Sequence, residues 1–209
     1  MDYQKEFNEM LNSLKACPNV TVTEEDFFVK EEIIPSFFKK YKHLKIIEEE
    51  IKVLNDNKIV WGYTQASGNT LPMGETHLIS IEKIISTKSK LEVRIRNSEA
   101  EEILAELLPF DDHPNAGDGI MGCLRWMNDQ YEIWLCDAHL NCFKMNFGLS
   151  EYLKKLIELK AMYGWQYLFA ELDIKSDAFK VIRKELKNRL TILHKCFPNL
   201  PVDSYLKKL

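Results

Sequence analysis

Apolar residues recur at two spacings along this chain, and the switches between them divide it into elements. Over residues 1–16, Asp2, Lys5, Glu6, Glu9 and Lys15 surround scattered apolar positions, the pattern of an amphipathic helix. Cys17-Pro18-Asn19 stops it. Val20 to Thr23 is short and β-prone. Pro35 suits the first turn of a second helix carrying Phe37, Phe38, Tyr41 and Leu44. Residues 46–54 fit helix or strand equally, and Asn55-Asp56-Asn57 signals a turn. Strand character begins at Ile59-Val60-Trp61-Gly62-Tyr63, followed by a loop from Gly68 to Pro72. Residues 76–85 are β-prone, and Leu91, Val93 and Ile95 alternate as in a further strand. Residues 98–107 read as a short helix with Ser98 as N-cap.

The next fifty residues carry the strongest patterning. Residues 111–119 form a polar loop punctuated by Pro114, Gly117 and Gly119. Ile120 to Trp126 reads as a strand, Asn128-Asp129 as a turn, and Tyr131 to Cys136 as the second strand of a hairpin. That second strand is bulky on both faces, which predicts a central strand covered on both sides. Asp137 to Asn141 turns the chain again, and Phe143, Met145 and Phe147 alternate with Cys142, Lys144 and Asn146. A helix over 150–162 packs Leu153, Leu156, Ile157 and Met162 onto the sheet. A last helix over about 177–197 places Phe179, Ile182, Leu186, Leu190, Leu193 and Phe197 at helical spacing. Lys180, Lys184, Lys187 and Lys195 mark its solvated face. The fold class is α+β: an antiparallel or mixed central sheet containing a meander, flanked by helices, with an added C-terminal helix.

Composition bounds the function. A chain of 209 residues, 45% hydrophobic and 29% charged, is ordinary globular material. A net charge of -4 and a pI near 5.8 argue against nucleic acid as the main partner, because phosphate contacts need a basic surface. No apolar run reaches the ~18 residues of a membrane span, and the N-terminus lacks the apolar centre of a signal peptide. Five scattered cysteines suggest no disulfide framework, so reduced thiols and a cytoplasmic location are expected.

Three constellations invite chemistry. Cys136, His139 and Cys142, with Cys123 upstream, are the right residue types for zinc, but no Cys-x2-Cys pair occurs. Small strand hydrophobes are the simpler reading of these cysteines, and no metal or other cofactor is expected. Asp111, Asp112, His113 and Asp118 could hold a hard cation or act as acid and base, yet neighbouring acids often only solvate a loop. Cys136-Asp137-Ala138-His139 supplies the residue types of a thiol nucleophile, without any marked oxyanion hole. Trp61, Trp126, Trp134 and Trp165 are read as core, with Trp126 and Trp134 also candidate interface residues.

The order of features in the central unit resembles the SUKH superfamily. The resemblance rests on Leu108-Pro109-Phe110, Gly117-Asp118-Gly119 before a strand, the hairpin, Asp137 after its second strand, Phe147, and Ser150-Glu151-Tyr152-Leu153 at a helix start. Upstream, Ile34 to Tyr41 resembles the proline-led first helix of that family. It covers about residues 33–159 of one domain spanning 1–209, with an extension over about 170–209 that has no family counterpart. Lys45 to Asn57 replaces the short turn that the family pattern expects. The resemblance implies a non-catalytic protein-binding module, an immunity protein that binds and neutralises a toxin. Asp111, Asp112, Asp118, Trp126, Asp129, Trp134 and Asp137 are then the candidate partner contacts. An intracellular regulatory scaffold of the same fold and a metal-dependent or thiol enzyme are the alternatives.

Overall fold

The computed structural model describes residues 2–29, 48–86, 99–127 and 130–209. The expected helix at 35–44, the alternation at 91–95, the Ser98 cap and the Asn128-Asp129 turn, with candidate contact Asp129, lie outside the described residues.

Seven strands form one sheet in strict chain order, each antiparallel to the next. They are β1 (Val20–Asp26), β2 (Asn57–Thr64), β3 (Thr70–Leu78), β4 (Leu107–Asp112), β5 (Met121–Met127), β6 (Gln130–Cys136) and β7 (Cys142–Met145). The helices are α1 (Tyr3–Ala16), α2 (Glu48–Val53), α3 (Ile81–Ser86), α4 (Glu99–Glu106), α5 (Leu149–Glu158), α6 (Lys180–Cys196) and α7 (Val202–Leu206). The fold is therefore α+β, a meander flanked by helices, with α6 as the C-terminal helix.

Alternation sorts side chains onto two faces. Ile59, Trp61, Leu124, Ile133, Leu135 and Met145 enter the main core with Phe7, Met10 and Leu14 of α1. Leu153, Leu156 and Ile157 of α5 and Leu186, Leu190 and Leu193 of α6 complete it. The other face carries a small second cluster, Cys123 and Cys136 beneath Leu104 and Leu107. On its core face β6 is thus buried, while on the other face only Cys136 is buried and Trp134 stays partly exposed, so the two-sided cover that its sequence predicts is met only at that end.

Local chemistry explains the boundaries. The Asp2 side chain caps α1 by accepting from Lys5 N at 3.0 Å. The β-prone stretch 76–85 is strand only to Leu78. Asp56 Oδ1 accepts from Ser80 N at 3.0 Å, and Ile81 and Ile84 then bury at a spacing of three, so the chain turns helical. The ambiguous stretch 46–54 contains helix α2. The helix expected over 150–162 ends at Glu158, because Lys160 (φ 56°) and Ala161 (φ 52°) are left-handed. That turn sends residues 161–163 alongside β3: Glu75 N donates to Ala161 O at 3.0 Å, and Tyr163 N to Met73 O at 2.9 Å. Trp61 Nε1 donates to Lys160 O at 2.6 Å and anchors the turn. Gly74 is required here, since a Cβ would stand 2.6 Å from Ala161 O.

The sheet is consequently split at its middle. β3 pairs with β4 only through His77–Asp112 and Leu78–Asp111, while Met73 to Glu75 in its middle pair with residues 161–163. Pro109 is tolerated in an interior strand because β3 has no partner residue opposite it.

Candidate functional site

The split in the sheet is filled by polar side chains. Glu75 and Thr76 of β3, Asp111 of β4 and His113 just beyond it are all buried. Asp111 accepts from Thr76 Oγ1 at 2.7 Å, His77 N at 3.2 Å and Tyr152 Oη at 2.7 Å. The Pro109/Asp111 irregularity in the β4–β5 register places Asp111 opposite Gly122, on the core face where Tyr152 stands. Gly122 leaves the room for it: a Cβ there would lie 2.9 Å from Tyr152 Cζ.

Glu75 holds the loop that follows β4. It accepts from Asn115 N at 2.7 Å, Ala116 N at 2.8 Å and Tyr163 Oη at 2.9 Å. His113 Nδ1 lies 3.1 Å from Asp118 Oδ1, which also accepts from Ile120 N at 3.0 Å. Gly117 (φ 59°) and Gly119 (φ 70°) bracket Asp118 in left-handed turns. Lys58 and Glu24 reach Asn115 from the neighbouring strands. An open cavity of about 450 Å³ adjoins, bounded by Asp118, Tyr163, Met73, Glu185, Asn188 and Arg189.

Electrostatics give this node a definite protonation pattern. Burial alone would push the His113 imidazole down. The hydrogen bond with Asp118 and the charges of Asp111 and Glu75 outweigh it and hold the group above its ordinary value. Burial raises the Asp111 carboxyl, against the pull of His113, Thr76 and Tyr152. His77 is raised by its 2.7 Å contact with Asp112. Burial, then Glu75, pushes the Tyr163 phenol up. Each of these acids and bases holds another side chain or a backbone amide, so the arrangement works as a brace between loop and sheet. His113 Nε2, Trp165 Nε1 and Gln166 Oε1 are buried without a partner among the described residues.

The sequence-predicted contact residues are dispersed. Asp111 is 1% exposed and Asp137 6% exposed, so neither offers a partner appreciable surface. Asp137 braces its own turn, accepting from His139 N at 2.8 Å, Asn141 N at 2.9 Å and Asn141 Nδ2 at 2.9 Å. Asp112 and Asp118 are about one-third exposed, at 33% and 28% of their side chains. Trp126 is half-buried on the core face against Tyr131. Trp134 is half-buried on the opposite face. Trp61 and Trp165 are core. Sequence reasoning missed Glu75, Thr76, Tyr152 and Tyr163 as members of the node. No local signal marked them: Glu75 lies outside the β-prone stretch 76–85, and its partners are distant in sequence.

The cysteine constellation resolves into strand neighbours. Cys136 and Cys142 face each other across β6 and β7, and Cys123 touches Cys136 from β5. Contact with Cys123 raises the Cys136 thiol most, and contact with Cys136 then raises Cys142, so these thiols stay protonated. His139 is exposed in its turn. No group of three or more His, Cys, Asp or Glu side chains among the described residues is disposed to hold a metal ion.

One surface combines aromatic and charged groups. On the outer face of β5–β7, Trp134 Nε1 donates to Glu132 Oε2 at 3.0 Å, and the Arg125 guanidinium lies 5.9 Å from the indole centre. Lys144 binds Glu132 at 2.5 Å and Arg125 reaches Glu106 at 2.7 Å. Burial raises the Glu132 carboxyl, but Lys144, Trp134 and Arg125 together bring it below the usual range. Met127, 42% exposed, closes the hairpin end of this face. Alternation beyond the β4 irregularity places Asp112 on the same side of the sheet. No helix of the described residues is long and apolar enough to cross a membrane. No family model, curated protein or solved structure matches the chain.

Proposed function

We propose that this chain is a non-catalytic protein-binding module, in its sharpest form a SUKH-type immunity protein that binds and neutralises a toxin domain in the cytoplasm. The observation that carries the reading is Trp134. It is a large aromatic left partly exposed on a sheet face, hydrogen-bonded to Glu132 and flanked by Arg125 and Lys144. Tryptophan and arginine are the residues that dominate protein–protein hot spots, and a β-sheet presents them with little conformational entropy to lose. The titratable groups support the same reading from the other side. Asp111, His113, Glu75 and Asp137 are spent on bracing the loops, each held by a side chain or a backbone amide.

Asp112 and Asp118 add acidic edges that would steer a basic partner. The meander closed by helix α5 is the scaffold that strand alternation and helical spacing predict.

The test is co-expression with the product of a neighbouring toxin gene. Rescue of growth and co-purification in a stable complex are expected. Trp134→Ala should keep the circular dichroism spectrum and weaken the complex by about 30-fold, roughly 2 kcal/mol. Absence of both rescue and co-purification, or full affinity in the Trp134→Ala protein, sinks the reading.

A further inference from the structure

Two cysteines from opposite ends of the chain meet in space. Cys17 caps α1, its backbone N–H donating to Leu14 O at 3.2 Å. Cys196 is the last residue of α6. About 180 residues separate them in sequence, which makes their meeting a long-range contact. Both nevertheless line one open cavity of about 390 Å³ with Ser13, Asn19, Tyr63 and Lys195. Their thiols lie within hydrogen-bond reach of each other. Both are half-buried and border that opening, so a small reagent can reach them. The cysteines in the sheet differ: Cys123 and Cys136 are fully buried, and Cys142 sits on a strand already hydrogen-bonded to that of Cys136.

We propose that Cys17 and Cys196 form a redox-active dithiol site, at which a small-molecule disulfide such as oxidised glutathione converts the pair into an intramolecular disulfide clamping α6 to α1. Burial, then Cys17, pushes the Cys196 thiol up to about 12 against the pull of Lys195. In the proposed exchange Cys17 opens. Its thiolate attacks one sulfur of the oxidised glutathione, forming a mixed disulfide and expelling one glutathione thiolate. The Cys196 thiolate then attacks the Cys17 sulfur of that mixed disulfide and expels the second glutathione. Two electrons pass from the cysteines to the glutathione disulfide, and the two thiol protons end on the two glutathione thiols.

The clamp has a structural consequence. The N-terminal helix is joined to the main sheet and α5, where Tyr3 Oη lies 3.1 Å from Ser150 Oγ. Helix α6 packs on the same core through Leu186, Leu190 and Leu193. A bond between Cys17 and Cys196 closes almost the whole chain into one loop. Loops of this length restrict the unfolded state most.

The experiment uses the full chain, reduced and then equilibrated with oxidised glutathione, beside Cys17→Ser and Cys196→Ser. Two of the five thiols should be lost, with the peptides carrying Cys17 and Cys196 joined in the mass map. The thermal midpoint should rise by roughly 5–15 °C and return on reduction. Each serine variant should melt like the reduced parent and show no oxidative rise. Five unchanged thiols, an unresolved glutathione adduct, a Cys136–Cys142 bond or disulfide-linked dimers would each overturn the proposal.

Discussion

At the scale of single residues, the decisive groups are buried and charged, and each is held by several partners. Asp111 serves Thr76, His77 N and Tyr152 at once, so removing its charge leaves donors facing one another. Asp111→Asn is expected to destabilise the protein by roughly 1–3 kcal/mol, read from urea unfolding midpoints at constant slope. A variant as stable as the parent would show that the brace contributes nothing. The histidines set a pH dependence whose sign follows from their shifts. His77 and His113 are raised in the folded state, so their stabilisation is fully present below the ordinary imidazole value near ~6.5 and is lost as pH rises through the folded values. The raised Asp111 carboxyl acts in the same direction from the carboxylate range upward. Glu24, Asp56 and Glu132 are lowered and lose their contribution only as pH falls through the acid range. The urea midpoint should therefore drop between about pH 6 and about pH 9, and drop less in His113→Gln. A midpoint that rises over that window contradicts the assignment. These roles were not legible in the sequence. Adjacent acids at 111 and 112 look alike as letters, yet a one-residue irregularity in register sends Asp111 into the core and leaves Asp112 one-third exposed.

At the scale of elements, the loop 113–119 depends on strand β3 although thirty-four residues, 79–112, lie between them, an interval about as long as a βαβ unit. Glu75 accepts the Asn115 and Ala116 amides and the Tyr163 hydroxyl, tying loop, strand and the turn after α5 together. Glu75→Ala should raise amide exchange at Ala116 by about tenfold or more while the β5–β6 amides stay protected. Equal protection in both proteins would mean that the loop holds itself. Elements with strong local patterns were readable in advance. The hairpin β5–β6, the half-buried β7, helix α1 and helix α6 all follow from alternation or helical spacing. Two were not. β4 hides behind Pro109 and a pair of acids, and it forms because β5 supplies its partners from the next strand. Helix α5 stops short of its apolar pattern because Trp61, on a strand nearly a hundred residues earlier in the ~200-residue chain, captures the Lys160 carbonyl.

At the scale of the whole molecule, the C-terminal helices are part of the core. Leu186, Leu190, Leu193, Val202 and Tyr205 are all buried in it. At about 1.5–3 kcal/mol for each buried side chain, removing residues 177–209 forfeits about 10 kcal/mol, comparable with the total stability of a domain. The truncated chain is expected to show no cooperative thermal transition, and a sharp transition with native near-ultraviolet dichroism would contradict this. What the sequence determined by itself is the content of the elements and the α+β class. Hydrophobic spacing is a local property, and a strand or amphipathic helix must bury its apolar face wherever it lands. It also put Trp134 on the face opposite Ile133 and Leu135, because successive side chains of a strand alternate. Only the tertiary structure decided which acids are buried, how β3 divides its edge between β4 and residues 161–163, and that Cys17 meets Cys196. Those outcomes depend on register and on chain segments far apart, and no short window of residues contains the partner that sets them.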